Sequence, residues 1–163
     1  MNRTVTTEIR FDPGGPTGHP GRRAAGLGAA SLLGATAAMQ VALASGAPWG
    51  EVVYGGRAET VDGVLSGPYR ASSAAAAGVL LFAARAVAEA SGATRRRLLP
   101  AGFASRTTWV VAAGMGLNTL ANLAGRHPFE RRVLAATTAA TAGLSVVVAV
   151  GARRDAAGCG TIS

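Results

Sequence analysis

The chain has 163 residues, of which 49% are hydrophobic and 15% are charged, and its formal net charge is +8. All 16 basic residues are arginines, and they are placed between long uncharged apolar segments. Low charge and long apolar segments exclude intrinsic disorder for the bulk of the chain. This placement also argues against a nucleic-acid-binding protein, whose basic residues cluster on one surface, so we expect no nucleic-acid partner.

Four apolar segments are long enough to cross a membrane, which takes about 20 mostly apolar residues for a hydrocarbon core about 30 Å thick. The predicted spans are Ala24–Ala47, Ala71–Ala90, Thr107–Gly125 and Val133–Gly151. The alternative is a water-soluble bundle of buried helices, but such helices carry a polar face with a period near 3.6 residues, which these segments lack. The sequence therefore predicts an all-α fold: a membrane four-helix bundle with four transmembrane helices in up-down antiparallel order.

The segments outside the predicted spans are polar. Residues 1–23 are rich in proline and glycine and are predicted to form a flexible N-terminal tail, and residues 153–163 a C-terminal tail, around a transmembrane domain over residues 24–152. A cleaved signal peptide is the alternative for the first span, because small residues lie near Ala44. That span exceeds the about 7–15 residues of a signal core, so we predict that it is retained.

The arginines also predict the orientation, because they favour the cytoplasmic side of a membrane. Ten of them lie in the two tails and the second connection, and five lie in the first and third connections. We therefore predict a multi-pass protein of the plasma membrane with both termini in the cytoplasm, although the third connection is itself basic.

Charged and small residues within the spans predict how the helices pack. Arg85 and Glu89 lie four apart near one end of the second span, so the pair is predicted to close that helix end at the interface; the alternative is an intramembrane charged site. Small residues recur at every fourth position of the first span, which favours close approach of a neighbouring helix. They are Gly26, Ala30, Gly34, Ala38, Ala42 and Gly46.

A polar cluster is predicted at the outer end of the bundle. Asn118 and Asn122 share one helical face, and amides in hydrocarbon must turn to the bundle interior to find hydrogen-bond partners. The sequence favours the hypothesis that they join helices, typically for about 0.6 kcal/mol and up to roughly 1.7. The second hypothesis is an outward-facing pocket roofed by the first and third connections. Its candidate ligand-binding residues are Glu51, Arg57, Asn118, Asn122 and Glu130.

The residue patterns of known catalytic and metal sites are missing from the sequence. His19 and His127 lie far apart, Cys159 is the only cysteine, and lysine is absent, which argues against metal clusters and phosphate-binding loops. No serine, histidine and carboxylate converge at identifiable positions. We therefore expect no enzymatic activity, no metal and no cofactor.

Several short motifs resemble a family of small, uncharacterised four-span bacterial membrane proteins. The motifs are Gly46–Gly50, Gly55–Arg57, Asn118–Asn122 and Glu130–Arg132. The resemblance covers roughly residues 24–152 and implies a four-span fold, and it implies no particular reaction.

Two functions remain open at the level of the sequence. The first is a non-enzymatic structural, accessory or sensing component of the membrane, which contacts the lipid bilayer and forms helix–helix homo- or hetero-oligomers through its small residues. The alternative is a small transporter or ligand-binding protein that uses the outer polar pocket.

The predicted orientation can be tested by labelling single cysteines in intact cells with a membrane-impermeant maleimide, in a Cys159→Ser background. We expect Asp62→Cys and Arg131→Cys to be labelled and Arg96→Cys to be protected until the membrane is opened. Labelling of Arg96→Cys alone in intact cells would reverse the orientation.

Overall fold

The computed structural model describes residues 19–54, 57–125 and 127–159. Four long helices account for most of them: α1 (Pro20–Ala44), α2 (Gly67–Ala90), α3 (Ala101–Leu123) and α4 (Ala135–Cys159). A π-helical segment, Glu130–Leu134, leads directly into α4. The α1–α2 connection contains a short antiparallel hairpin, β1 (Thr60–Val61) and β2 (Val64–Leu65). The predicted all-α class is confirmed.

The ends of α1 and α2 follow from a repeated Ser-Gly pair. Gly46 and Gly92 have φ angles of 100° and 74°, a left-handed conformation that glycine adopts without strain and that commonly ends helices. The amide of Ala47 then donates to the carbonyl of Ala42 at 2.9 Å, and Ala93 donates to Ala88 at 3.0 Å. These bonds satisfy carbonyls that the helix ends leave open.

Neighbouring helices in the bundle are antiparallel. The closest pairs are α1 with α2 and α3 with α4, and the pairs are joined by the packing of α4 on α1 and of α2 on α3. Arg70 Nε, at the start of α2, donates to the carbonyl of Ala44 at the end of α1 at 2.9 Å. At the opposite end, Arg22 of α1 forms an ion pair with Asp155 of α4.

Two helices extend beyond the predicted spans into the predicted tails. Residues 20–23 belong to α1 and residues 153–159 to α4, so the tail assignment does not hold for them. Pro20 is preorganised for a first helical turn, and the pair between Arg22 and Asp155 joins the two extensions. The rest of the predicted tails, residues 1–18 and 160–163, lies outside the described residues.

Among the described residues, three helical stretches are long and apolar enough to cross a membrane, namely Pro20–Ala44, Gly67–Ala90 and Glu130–Ala157. This supports a membrane location. Helix α3 is not among them, because Arg106, Asn118 and Asn122 lower its mean hydropathy. The predicted fourth span is therefore not confirmed.

The bundle buries small and hydroxyl side chains and exposes large apolar ones. Ser73, Thr108 and Ser145 are fully buried, whereas Val110 of α3 is 70% exposed and Leu117 is 69% exposed. A water-soluble bundle has the opposite distribution. The exposed apolar surface fits a hydrocarbon environment and disfavours the soluble alternative.

The row of α1 residues that packs against the neighbouring helices differs from the predicted row of small residues. The buried row is Ala25, Ala29, Leu33 and Ala37. Of the predicted six-residue row, Gly26 is buried and Ala38 is exposed. Association of helices in a membrane depends on van der Waals contact, and the row that contains Leu33 provides more contact than a row of glycine and alanine.

Gly26 is nevertheless required for packing. A β-carbon there would overlap the side chain of Ser91 at the end of α2, whereas a β-carbon at Gly34 would meet nothing within 4 Å.

We expect Gly26→Ala to lower the free energy of unfolding in detergent by on the order of 1–3 kcal/mol, the usual cost of overpacking. Gly34→Ala is the matched control, because it brings the same gain in helix propensity without a clash, and it should stabilise the protein slightly. Equal effects of the two substitutions would contradict the close approach of α1 and α2.

Candidate functional site

The α1–α2 connection folds back over the end of the bundle. Asp62 and Gly63 have φ angles of 51° and 77°, as the two central residues of a tight hairpin turn require. The amide of Gly50 donates to the carbonyl of Gly63 at 2.8 Å and ties the hairpin to the start of the connection. Apolar residues of this connection, including Val53 and Leu65, pack on Leu43 and form a second small core. The connection is thus a packed cap.

Tyr54 fixes the far side of this cap. Its hydroxyl lies 2.7 Å from Ser73 Oγ, and its ring packs edge-on against Tyr69 with centroids 5.3 Å apart. Its φ angle of 56° is unusual for a bulky residue and costs of order 1–3 kcal/mol, which the surrounding contacts must offset. Tyr54 is therefore held in a strained conformation, and it lies on the wall of a cavity.

This cavity, named the outer cavity after the predicted orientation, has a volume of about 310 Å³ and lies between α1, α3, the start of α4 and the cap. Four of the five predicted site residues line it: Arg57, Asn118, Asn122 and Glu130. Glu51 is exposed on the 3₁₀ turn Gly50–Val52 and does not line it. Residues of the first and third connections thus meet residues of α1, α3 and α4 at one cavity, and their role in binding a ligand stays a prediction.

The two asparagines differ in their contacts. Asn122 Nδ2 lies 3.5 Å from Thr138 Oγ1 on the neighbouring helix, at the limit of a hydrogen bond, and Thr119 donates to the same oxygen at 2.9 Å. Asn118 is exposed, and its side chain makes no hydrogen bond within the described part of the chain. The helix-joining role therefore fits Asn122, and the pocket role fits Asn118.

Gln40 is a cavity residue that the pocket hypothesis omitted. Its Oε1 atom is buried without a hydrogen-bond partner among the described residues, and its side chain lines the outer cavity. A buried acceptor without a partner costs about 1–3 kcal/mol. The sequence carried a signal for it, because Gln40 is the only strongly polar side chain of the first apolar segment.

Glu130 is the acidic residue of the cavity. It is 3% exposed and begins the π-helical segment before α4, a kind of local distortion that is frequent at functional sites. Its carboxyl group packs over Gly125, where a β-carbon would overlap Oε2. His127 stands apart from the cavity, and its Nδ1 accepts a hydrogen bond from the amide of Phe129 at 3.2 Å.

The predicted pair of Arg85 and Glu89 is present at the other end of the bundle. Arg85 Nε donates to Glu89 Oε1 at 2.6 Å. The buried carboxylate also accepts from the amides of Leu98 and Leu99, at 3.1 and 2.9 Å. Glu89 therefore closes the end of α2 and holds the α2–α3 connection against it.

The outer cavity offers hydrogen-bond donors, acceptors and one charge of each sign. Across the described residues, no three His, Cys, Asp or Glu side chains come close enough to hold a metal ion. These groups can form hydrogen bonds and ion pairs with a small polar molecule.

No protein-family model, no curated protein and no solved structure matches this chain. The resemblance to four-span bacterial proteins therefore stays a prediction.

The roles of the asparagines can be separated by measuring unfolding in detergent. We expect Asn122→Ala to lower the free energy of unfolding by about 0.6 kcal/mol, and by no more than roughly 1.7, because it removes an interhelical hydrogen bond. Asn118→Ala should change it by less than about 0.5 kcal/mol, as for an exposed position. A larger loss for Asn118→Ala would assign the helix-joining role to that residue instead.

Proposed function

We propose that this chain is a non-enzymatic, multi-pass integral protein of a bacterial plasma membrane that binds a small polar solute in its outer cavity. It would act as a sensing or accessory component. In this proposal α3 is a fourth span, both termini lie in the cytoplasm, and the cavity faces outward.

The length and surface of α3 support a fourth span. Its 23 residues rise about 35 Å at 1.5 Å each, enough for a hydrocarbon core of about 30 Å. It packs between α2 and α4, and its large apolar side chains, Val110, Leu117 and Leu120, are exposed.

The observation that carries the binding proposal is the convergence of separate polar groups on one cavity. Arg57 comes from the cap, Gln40 from α1, Asn118 from α3 and Glu130 from the π-helical segment before α4. Polar groups in a membrane bundle are costly and mark ligand or ion sites when they face a cavity. The cavity volume falls at the lower end of the range for small-molecule sites, about 300–1,000 Å³.

The charges of the cavity favour a small zwitterion. The carboxyl group of Glu130 and the unpartnered oxygen of Gln40 suit an ammonium group, because both are hydrogen-bond acceptors. The Arg57 guanidinium and the Asn118 amide suit a carboxylate. A neutral amino acid carries both an ammonium group and a carboxylate.

The rival function is a purely structural bundle whose polar residues join helices. The bonds from Thr119 and Asn122 to Thr138 favour it locally. These bonds do not involve Gln40 or Arg57, so the two functions make different demands on those residues.

We expect neutral amino acids to raise the melting temperature of the detergent-purified protein, whereas polyols and simple carboxylic acids should not. A ligand at a hundred times its Kd raises the free energy of unfolding of the protein by about 2.7 kcal/mol. Gln40→Leu and Arg57→Gln should abolish the shift.

Arg131→Gln is the matched control, since Arg131 is exposed at the same end and does not line the cavity. The proposal fails if no amino acid of the panel stabilises the protein, or if Arg131→Gln removes the shift as fully as Arg57→Gln. Uptake of the stabilising amino acid into proteoliposomes would assign the transporter function instead.

A further inference from the structure

A second and larger cavity lies at the opposite end of the bundle. It has a volume of about 620 Å³ and is formed by the start of α1, the α2–α3 connection, the start of α3 and the end of α4. Four arginines and two acids are among its lining residues, namely Arg22, Arg97, Arg106, Arg153, Glu89 and Asp155. This basic cavity is separate from the outer cavity and shares no residue with it.

Both acids of the basic cavity are already engaged. Asp155 forms an ion pair with Arg22, and Glu89 accepts from Arg85 and from two backbone amides. The four arginines of the cavity wall outnumber its two carboxylates, so the wall carries an excess of positive charge.

The start of α3 adds backbone donors to this charge. The first N–H groups of a helix have no partner within the helix. The preceding residue, Pro100, caps α3 without a side-chain hydrogen bond, and Ala101 and Gly102 line the cavity. The positive end of the α3 dipole thus faces the arginines, an arrangement that binds anions in many proteins.

Trp109 provides a third and independent observation. Its indole Nε1 is buried without a hydrogen-bond partner among the described residues, and the side chain lines the basic cavity. Indole nitrogen can only donate, so this atom lacks an acceptor. The Arg153 guanidinium lies 4.6 Å above the same ring, which orients the cation at the cavity wall.

We infer that the basic cavity binds a phosphate group. Guanidinium groups recognise phosphate with paired hydrogen bonds, and Trp109 Nε1 and the first amides of α3 add donors of the kind that phosphate oxygens accept. The phosphate can belong to an anionic phospholipid headgroup at the membrane surface or to a free phosphate in solution.

The test measures the melting temperature of the full chain with two probes. In one arm, the protein in uncharged detergent is titrated with inorganic phosphate. In the other, it is placed in phosphatidylcholine nanodiscs with or without phosphatidylglycerol. We expect stabilisation in at least one arm. A shift with phosphatidylglycerol alone identifies a lipid headgroup, and a shift with inorganic phosphate identifies a free phosphate.

Substitutions then locate the binding site. Arg106→Gln should weaken the apparent affinity about tenfold, the worth of one charge-assisted hydrogen bond. Trp109→Phe keeps an aromatic ring under Arg153 and removes the donor, so it should weaken affinity without unfolding the bundle. Arg95→Gln is the matched control, because Arg95 is exposed at the same end and does not line the cavity. The inference is overturned if neither probe stabilises the protein, or if Arg95→Gln weakens binding as much as Arg106→Gln.

Discussion

Polar groups inside this bundle must find their partners within the bundle, and most of the structure depends on that constraint. Hydrocarbon offers no hydrogen bonds, so each polar atom left without a partner lowers the stability of the folded bundle. The hydroxyls of Thr108 and Thr141 accordingly donate to carbonyls one turn back in their own helices, at 2.9 and 2.8 Å. The buried atoms that find no such partner include Gln40 Oε1 and Trp109 Nε1, and each lines a cavity. A ligand could complete the pairing of these two atoms, whereas the buried hydroxyls of Ser66, Thr94 and Ser145 also lack a partner among the described residues and line neither cavity.

Different interactions hold the two ends of the bundle together. At the basic cavity, charged side chains hold the bundle end together, through the pair of Arg22 with Asp155 and through Glu89. At the outer cavity, packing and backbone bonds hold the cap, with Gly50 and Gly63 allowing the close approach. Amides and hydroxyls are then left as the main polar groups of the outer cavity, whereas guanidinium groups dominate the basic one.

Periodicity and spacing predicted a large part of this arrangement. The apolar segments located all four helices, and the four-residue spacing of Arg85 and Glu89 predicted their ion pair. Four of the five expected pocket residues line one cavity. The missing one, Glu51, turns outward because a 3₁₀ turn in the cap sets its direction, and no helical periodicity predicts such a turn. Gln40 was not assigned to the pocket because its place depends on how α1 packs beside α4.

The helix ends and the packing row of α1 were harder to predict, because both depend on contacts with residues that are distant in the sequence. Arginines near a span end favour a tail by composition, but Arg22 is retained in α1 by Asp155, which lies at the far end of the sequence. Likewise, a row of small residues allows close packing without requiring it. Contacts with the neighbouring helices decide between adjacent rows, and Leu33 gains more contact than the glycines do.

The low hydropathy of α3 is best understood from its position. The residues that lower it are Arg106, which lines the basic cavity, and Asn118 and Asn122, which line the outer one. Its remaining surface bears Val110, Leu117 and Leu120, which are exposed and apolar. A helix that forms a wall of two polar cavities needs apolar residues only where it would meet lipid. Mean hydropathy averages over both surfaces, so it underestimates how well such a helix suits a membrane.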